Sequence, residues 1–135
     1  MSELGRSTPS RRRTITIWVL TILVAIAFAG AGLQKITQAE AMVTAFNGFG
    51  LPLWFMTLVG IAEIVGAIGL LLPPIAFVAG LGLMGIGGGA FITHMASGDS
   101  IGMAIPAIVV FVLSVIVTWL RGSNFARTAS NIFGS

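Results

Sequence analysis

Four apolar segments, each about long enough to cross a lipid bilayer, constrain this chain more than any other feature. They cover residues 15–33, 53–72, 75–93 and 102–120, and Glu63 is their single ionisable residue. A transmembrane helix needs about 20 apolar residues, because every backbone polar group must be paired within the lipid. With 56% apolar and only 8% charged residues, a soluble fold of this size could not bury its apolar surface. The sequence therefore predicts an all-α integral membrane four-helix bundle.

The basic residues predict the orientation of these segments. Six of the seven precede the first segment or follow the fourth, which puts them on one side of the membrane, and Lys35 alone lies on the other side. The six are Arg6, Arg11, Arg12, Arg13, Arg121 and Arg127. By the positive-inside rule, both termini are cytoplasmic and the protein is a multi-pass protein of the cell (inner) membrane. We expect a basic disordered cytoplasmic tail at 1–13, a four-helix domain at 14–121 and a cytoplasmic tail at 122–135. This placement explains the pI of about 11.3 without a nucleic-acid partner.

The connections between the segments differ in length. Residues 34–52 are half apolar, which predicts a short interfacial helix between the first two spans, before the chain turns back at 48–52. Pro73-Pro74 leaves almost no loop between the second and third segments, so these two helices should form a tight hairpin. Asp99 lies in a short outer loop, where we expect it to be solvated.

The first segment also resembles a signal peptide. Arginines and an apolar run precede the small residues Ala29-Gly30-Ala31, and SRRR is similar to a twin-arginine leader. The apolar region of a signal peptide is normally about 7–15 residues long, shorter than this run. We therefore favour a retained first span.

The chain has no cysteine and one histidine, which excludes several kinds of site. Disulfide exchange, iron–sulfur clusters and cysteine zinc sites require thiolates, and one histidine cannot form a bis-histidine haem site. We expect no metal site, no cofactor held within the chain and no self-contained catalytic centre.

Small residues recur in three of the segments at spacings typical of helix packing in membranes. Gly85 and Gly89 form a small-xxx-small pattern, Gly66 lies four residues after Ala62, and Gly32 follows a similar pattern in the first segment. Helices in lipid associate through close van der Waals contact, which such residues permit. We expect Gly32, Gly66, Gly85 and Gly89 to lie at helix crossings. A phosphate-binding loop is not supported, because no Lys-Ser/Thr pair follows the glycines.

Glu63 is the first candidate for a functional residue. It lies ten residues into the second segment, about 15 Å from the outer end of that segment and close to the membrane midplane. A carboxylate at this depth usually faces the bundle interior or a cavity and has a partner. Two roles are open: a protonated carboxyl that hydrogen-bonds across helices, or a group that handles protons or contacts a ligand.

Lys35 and His94 lie on the outer side, at the ends of the first and third segments. Direct pairing of Lys35 with Glu63 would need staggered helices or a bridging water, because Glu63 lies about 15 Å deeper. An interfacial anchor is the simpler role for Lys35. His94 is either a capping or interfacial residue or a hydrogen-bond partner for a quinone or another lipophile.

The order of several short motifs resembles the DoxX-like family of small four-helix bacterial membrane proteins. These motifs are AGLQKI, FNGFGLP, AEIVGAIGLLLPP and GAFITHMASGD, and the resemblance covers about residues 18–121. It implies a four-helix bundle with Gly32, Lys35, Glu63, Gly66 and His94 on recurring positions. Some relatives are linked to quinone-coupled redox systems, which makes a quinone a candidate ligand.

Three functions remain open. The leading hypothesis is a non-catalytic accessory or quinone/lipophile-contacting subunit of a membrane redox system, with a pocket between Lys35, Glu63 and His94. The second is a proton-coupled small-molecule transporter that uses Glu63. The third is a structural or assembly protein of the membrane. The lipid bilayer, redox-enzyme subunits and a second copy of the chain are the candidate partners.

Overall fold

The computed structural model describes residues 11–134, apart from the side chains of 123–129. These residues form five helices: α1 Arg11–Ile36, α2 Glu40–Gly48, α3 Leu53–Leu70, α4 Ala76–Ala96 and α5 Ile101–Phe133. The helices α1, α3 and α4, and α5 through Gly122, are long and apolar enough to cross a membrane. The predicted all-helical fold with four spans is therefore confirmed, and α2 is the short helix expected between the first two spans.

The helices extend beyond the predicted limits of the domain. Arg11, Arg12 and Arg13 belong to α1 rather than to a disordered tail, while the rest of that predicted tail, residues 1–10, lies outside the described residues. At the other end α5 continues through most of the predicted tail to Phe133. No proline interrupts residues 122–133, so the helix can propagate past its apolar part.

The four long helices form a closed ring. Contacts join α1 to α3, α3 to α4, α4 to α5 and α5 to α1, while α2 lies against α1 and α3. Along the bundle axis, the buried core occupies the half near the chain ends, where Val24, Leu70, Leu83 and Val117 pack together. The other half, near α2, contains the cavity described below.

The glycines have two different roles in this bundle. A Cβ added at Gly32 would lie 2.6 Å from the carbonyl oxygen of Gly60, and one at Gly66 would lie 2.6 Å from a methyl of Leu83, so both mark close crossings. The predicted packing role is wrong for Gly85 and Gly89, where an added Cβ meets nothing within 4 Å. Their face of α4 borders the cavity instead of another helix.

Candidate functional site

Lys35 and Glu63 form a direct ion pair between α1 and α3. The Lys35 Nζ donates to both carboxylate oxygens, at 3.1 Å to Oε1 and 2.9 Å to Oε2. The side chains are 12% and 5% exposed, so the pair is largely shielded from the surroundings. A buried charge normally requires a hydrogen-bonded partner of opposite sign, and here each residue provides it for the other.

The close crossing of α1 and α3 explains why this pair forms directly. A Cβ added at Gly60 would lie 2.9 Å from the Cβ of Lys35, and one at Gly32 would lie 3.2 Å from the Cβ of Glu63. Lys35 is therefore level with Gly60, only about 4.5 Å along the helix axis from Glu63. The expected depth difference of about 15 Å was wrong, because α1 ends below the outer end of α3.

Side-chain direction closes the remaining gap. The Cα–Cβ bond of a helical residue tilts toward the N-terminus of its own helix. Because consecutive spans run in opposite directions, Lys35 leans into the bundle while Glu63 leans toward the α2 end. The two side chains therefore approach each other, and no bridging water is needed.

His94 is held by Asp99, five residues further along the chain. The Nδ1 atom of His94 lies 2.8 Å from Oδ2 of Asp99, and both side chains are less than a quarter exposed. Gly98 has a positive φ of 76°, which turns the chain at the end of α4 and brings Asp99 back over its last turn. Asp99 is thus a paired residue, and the expectation that it is merely solvated was wrong.

A cavity of about 630 Å³ occupies the half of the bundle near α2. Lys35, Glu63 and His94 all line it, so the three candidates from the sequence meet at one site. Most of the other lining residues are apolar and come from α2, α3, α4 and α5. A few polar groups in a mostly apolar concave site are typical of pockets that bind small organic ligands.

One wall of the cavity is formed by aromatic side chains, and another is formed by glycines that have no side chain. Phe46 of α2 and Phe49, which directly follows α2, line the cavity, and the ring of Phe49 meets the His94 ring edge-on with centroids 5.1 Å apart. Gly82, Gly85 and Gly89 of α4 line it as well, at the three- and four-residue spacing of one helix face. Sequence reasoning missed the role of α2 as a wall, although its apolar residues were the available signal.

A second, smaller cavity of about 180 Å³ also includes Lys35 and Glu63. Its other walls come partly from α1, through Ala27, Phe28 and Ala31. The ion pair thus borders both cavities, which share five lining residues.

Arg121 is buried at the opposite end of the bundle, although the sequence placed it beyond the last span. It is 4% exposed, its guanidinium lies 4.4 Å from the centroid of the Trp18 ring, and its Nη2 donates to Thr21 Oγ1 at 3.1 Å. Stacking on an aromatic face allows an arginine to be partly desolvated without losing all electrostatic compensation. Among the described residues, no group of three potential metal ligands occurs.

These features define a multi-pass α-helical membrane protein with a shielded ion pair beside an apolar cavity. The chain belongs to the DoxX-like family, whose family model matches residues 19–117 and so includes all three candidate residues. It is also similar to the uncharacterized protein YdgD of Bacillus subtilis (strain 168), with 28% identity over 104 residues, or 73% of this chain and 91% of YdgD. No solved structure matches the chain.

Proposed function

We propose that this protein binds an amphipathic lipophile in the cavity beside the Lys35–Glu63 pair. The observation that carries the proposal is the cavity itself, because about 630 Å³ of mostly apolar space meets three ionisable side chains. Typical ligand pockets measure about 300–1,000 Å³ and combine an apolar lining with a few polar groups. An apolar tail or ring would be retained by the walls, and the polar head group would be oriented by Lys35 and His94.

The ion pair is suited to orienting a head group without acquiring a net charge. An ammonium has three N–H donors, and Glu63 engages only two of those on Lys35. The third can donate to a carbonyl or hydroxyl oxygen of a ligand. Because the two charges cancel, a neutral ligand can enter without leaving an uncompensated charge inside the membrane.

We further propose that a quinone is one such ligand and that the protein is an accessory subunit of a redox system in the inner membrane. The quinone ring could lie against Phe46 and Phe49, with one carbonyl oxygen accepting from Lys35. A partner subunit would then carry the electron-transfer chemistry. The arginines lie at the end of the bundle where both chain termini are found, which supports an orientation with both termini in the cytoplasm.

Copurification tests the lipophile proposal. The wild-type protein and a Lys35→Met/Glu63→Gln double variant are purified in mild detergent, and bound lipids are identified by mass spectrometry. We expect a stoichiometric lipophile in the wild type and its loss from the double variant, while a Trp119→Phe control, altered at an exposed residue far from the cavity, retains it. The same lipid content in all three proteins would contradict the proposal.

The second cavity favours one other candidate function, a proton-coupled transporter. Glu63 borders both cavities, and the smaller one extends to α1, so this carboxyl could pass a proton from one cavity to the other. In proteoliposomes under a proton gradient, Glu63→Gln would then abolish substrate-driven proton flux. Equal flux for wild type and variant would exclude this mechanism.

A further inference from the structure

The two ring nitrogens of His94 have different environments. Nδ1 lies 2.8 Å from the carboxylate of Asp99, which in its ionised form can only accept a hydrogen bond. In a neutral imidazole one nitrogen carries hydrogen and the other has a lone pair, and the partner of one nitrogen decides the state of the other. The contact with Asp99 therefore places the hydrogen on Nδ1 and leaves Nε2 as an acceptor.

The backbone holds Asp99 firmly in this position. The N–H of Asp99 donates to the carbonyl oxygen of His94 at 3.1 Å, and the N–H of Gly98 donates to Met95 at 3.2 Å, so the end of α4 is closed by two backbone hydrogen bonds. The edge-on contact with Phe49 restricts the imidazole from another side. The orientation of His94 is thus determined by α4, its terminal turn and α2 together.

The other polar side chains that line the cavity each have a hydrogen-bond partner within the protein. Each carboxylate oxygen of Glu63 accepts from Lys35, and the hydroxyl of Thr93 donates to the carbonyl oxygen of Gly89 at 2.8 Å. Lys35 can only donate. Glu63 keeps further lone pairs beside those bonded to Lys35, but among the ionisable side chains that line the cavity Nε2 of His94 is the acceptor atom to which no described residue donates.

We propose that the cavity selects lipophiles whose head group carries a hydroxyl, and that Nε2 of His94 accepts the hydrogen bond from it. Asp99 is the positioning residue, because it keeps His94 in the accepting form. The proposal rests on the proposed lipophile site and names its chemical class: a phenol or an alcohol binds better than its ether counterpart. A site built to bond a hydroxyl discriminates against an analogue that lacks it, since a buried polar group is then left unpaired.

Nitrogen NMR tests the tautomer directly, because His94 is the only histidine in the chain. Protein labelled with ¹⁵N-histidine is placed in lipid nanodiscs at pH 8, and the two ring-nitrogen shifts are measured. We expect hydrogen on Nδ1 in the wild type and on Nε2 in Asp99→Ala, since a neutral imidazole without a partner favours that form. Asp99→Glu keeps an acceptor-only carboxylate and should restore the wild-type tautomer. Hydrogen on Nε2 in the wild type would overturn the proposal.

Binding of a matched ligand pair tests the selectivity. The two probes, added to the same nanodiscs, are 4-nonylphenol and 4-nonylanisole. They differ only in whether the oxygen attached to the ring carries a hydrogen or a methyl group. We expect the phenol to bind about tenfold more tightly to the wild type, a ratio of about one for Asp99→Ala, and recovery of the preference for Asp99→Glu.

The outcomes separate this inference from the proposed function. If neither probe binds the wild type, the lipophile site is refuted together with the inference. If both bind equally well, or if Asp99→Ala keeps the tenfold preference, the lipophile site stands and the role of His94 and Asp99 is refuted.

Discussion

At the scale of single residues, this protein separates its polar groups into three places. Lys35 and Glu63 compensate each other between α1 and α3, His94 and Asp99 close the end of α4, and Arg121 stacks on Trp18 at the opposite end. The first two pair a polar side chain with one of opposite charge, while Arg121 has the Trp18 ring and Thr21 as partners but leaves its Nε without a hydrogen bond. Only the first two lie near the cavity, which is why ligand chemistry is assigned there.

The Lys35–Glu63 pair should show strong coupling in a double-mutant cycle. Glu63→Gln or Lys35→Met alone leaves a buried charge without its partner, so we expect each to lower the free energy of unfolding by about 3 kcal/mol. The double variant removes both charges and should be less destabilised than either single variant. Unfolding in mixed detergent micelles measures all four proteins, and additive effects would contradict the direct pairing.

Removal of the Arg121 stack should destabilise the other end of the bundle. Arg121→Lys keeps the charge but loses the planar stack on Trp18, so we expect a loss of about 1 kcal/mol in the free energy of unfolding. Retention of the lipophile should not change, because Trp18 and Arg121 are not among the cavity residues. The same unfolding assay and the lipid analysis check the two expectations, and a loss of bound lipophile would contradict the separation of the two ends.

At the scale of secondary-structure elements, glycine allows either a close crossing or an open wall. Gly32 is in contact with the backbone of Gly60, which cannot move aside as a flexible side chain could. Gly85 and Gly89 instead leave a face of α4 free of side chains along the cavity. The same residue type thus serves packing in one helix and shapes a cavity in another.

The two classes of glycine should respond oppositely to added bulk. Gly32→Ala forces a methyl against the backbone of Gly60 and should destabilise the protein by about 2 kcal/mol. Gly85→Ala meets no neighbour, and its effect should lie within about 0.5 kcal/mol of zero or favour the helix. Gly85→Leu should leave stability intact and reduce the amount of copurified lipophile at least severalfold. A destabilised Gly85→Ala would show that this face is packed.

At the scale of the whole molecule, the bundle has a packed apolar core at one end and a cavity at the other. The apolar core lies toward the chain termini, and the cavity lies toward α2 and the turn between α4 and α5. The difference between the two ends follows from residue size. The end near the chain termini carries Leu70, Leu83 and Val117, whereas at the other end glycines of α4 line the cavity. The site therefore lies away from the end that carries most of the arginines.

Cysteine labelling can map the two halves, because the natural chain contains no cysteine. Met103→Cys, on the cavity wall, should react readily with a water-soluble maleimide, and Val117→Cys, fully buried in the core, should remain protected. Addition of a bound lipophile should slow labelling at position 103. Equal reactivity at the two positions would contradict a solid inner half.

The same approach tests the predicted orientation of the whole chain. In intact cells, an impermeant maleimide should label Ser97→Cys, at the end of α4, whereas Ser130→Cys, near the end of α5, should react only after permeabilisation. Both positions are exposed in the structure, so a difference in labelling reports the side of the membrane. Labelling of both in intact cells would contradict cytoplasmic termini.

The sequence alone determined the membrane class, the four spans, the short helix before the second span and three of the residues that line the cavity. These features follow from local properties, namely apolar run length, charge position and isolated polar residues in apolar surroundings. The limits of the helices were less accurate, because neither residues 11–13 nor residues 122–133 contain a strong helix breaker and composition alone suggested a tail.

Tertiary structure alone decided which groups meet. The Lys35–Glu63 pair depends on the axial register of α1 against α3, which is set where Gly32 meets Gly60 and is invisible in a linear count of residues. The pairing of Asp99 with His94 depends on the turn at Gly98, and the open face at Gly85 depends on which helix lies opposite. Hydropathy specifies that helices cross the membrane, but contacts between distant backbones determine how far each is shifted along its neighbour, and the site depends on that shift.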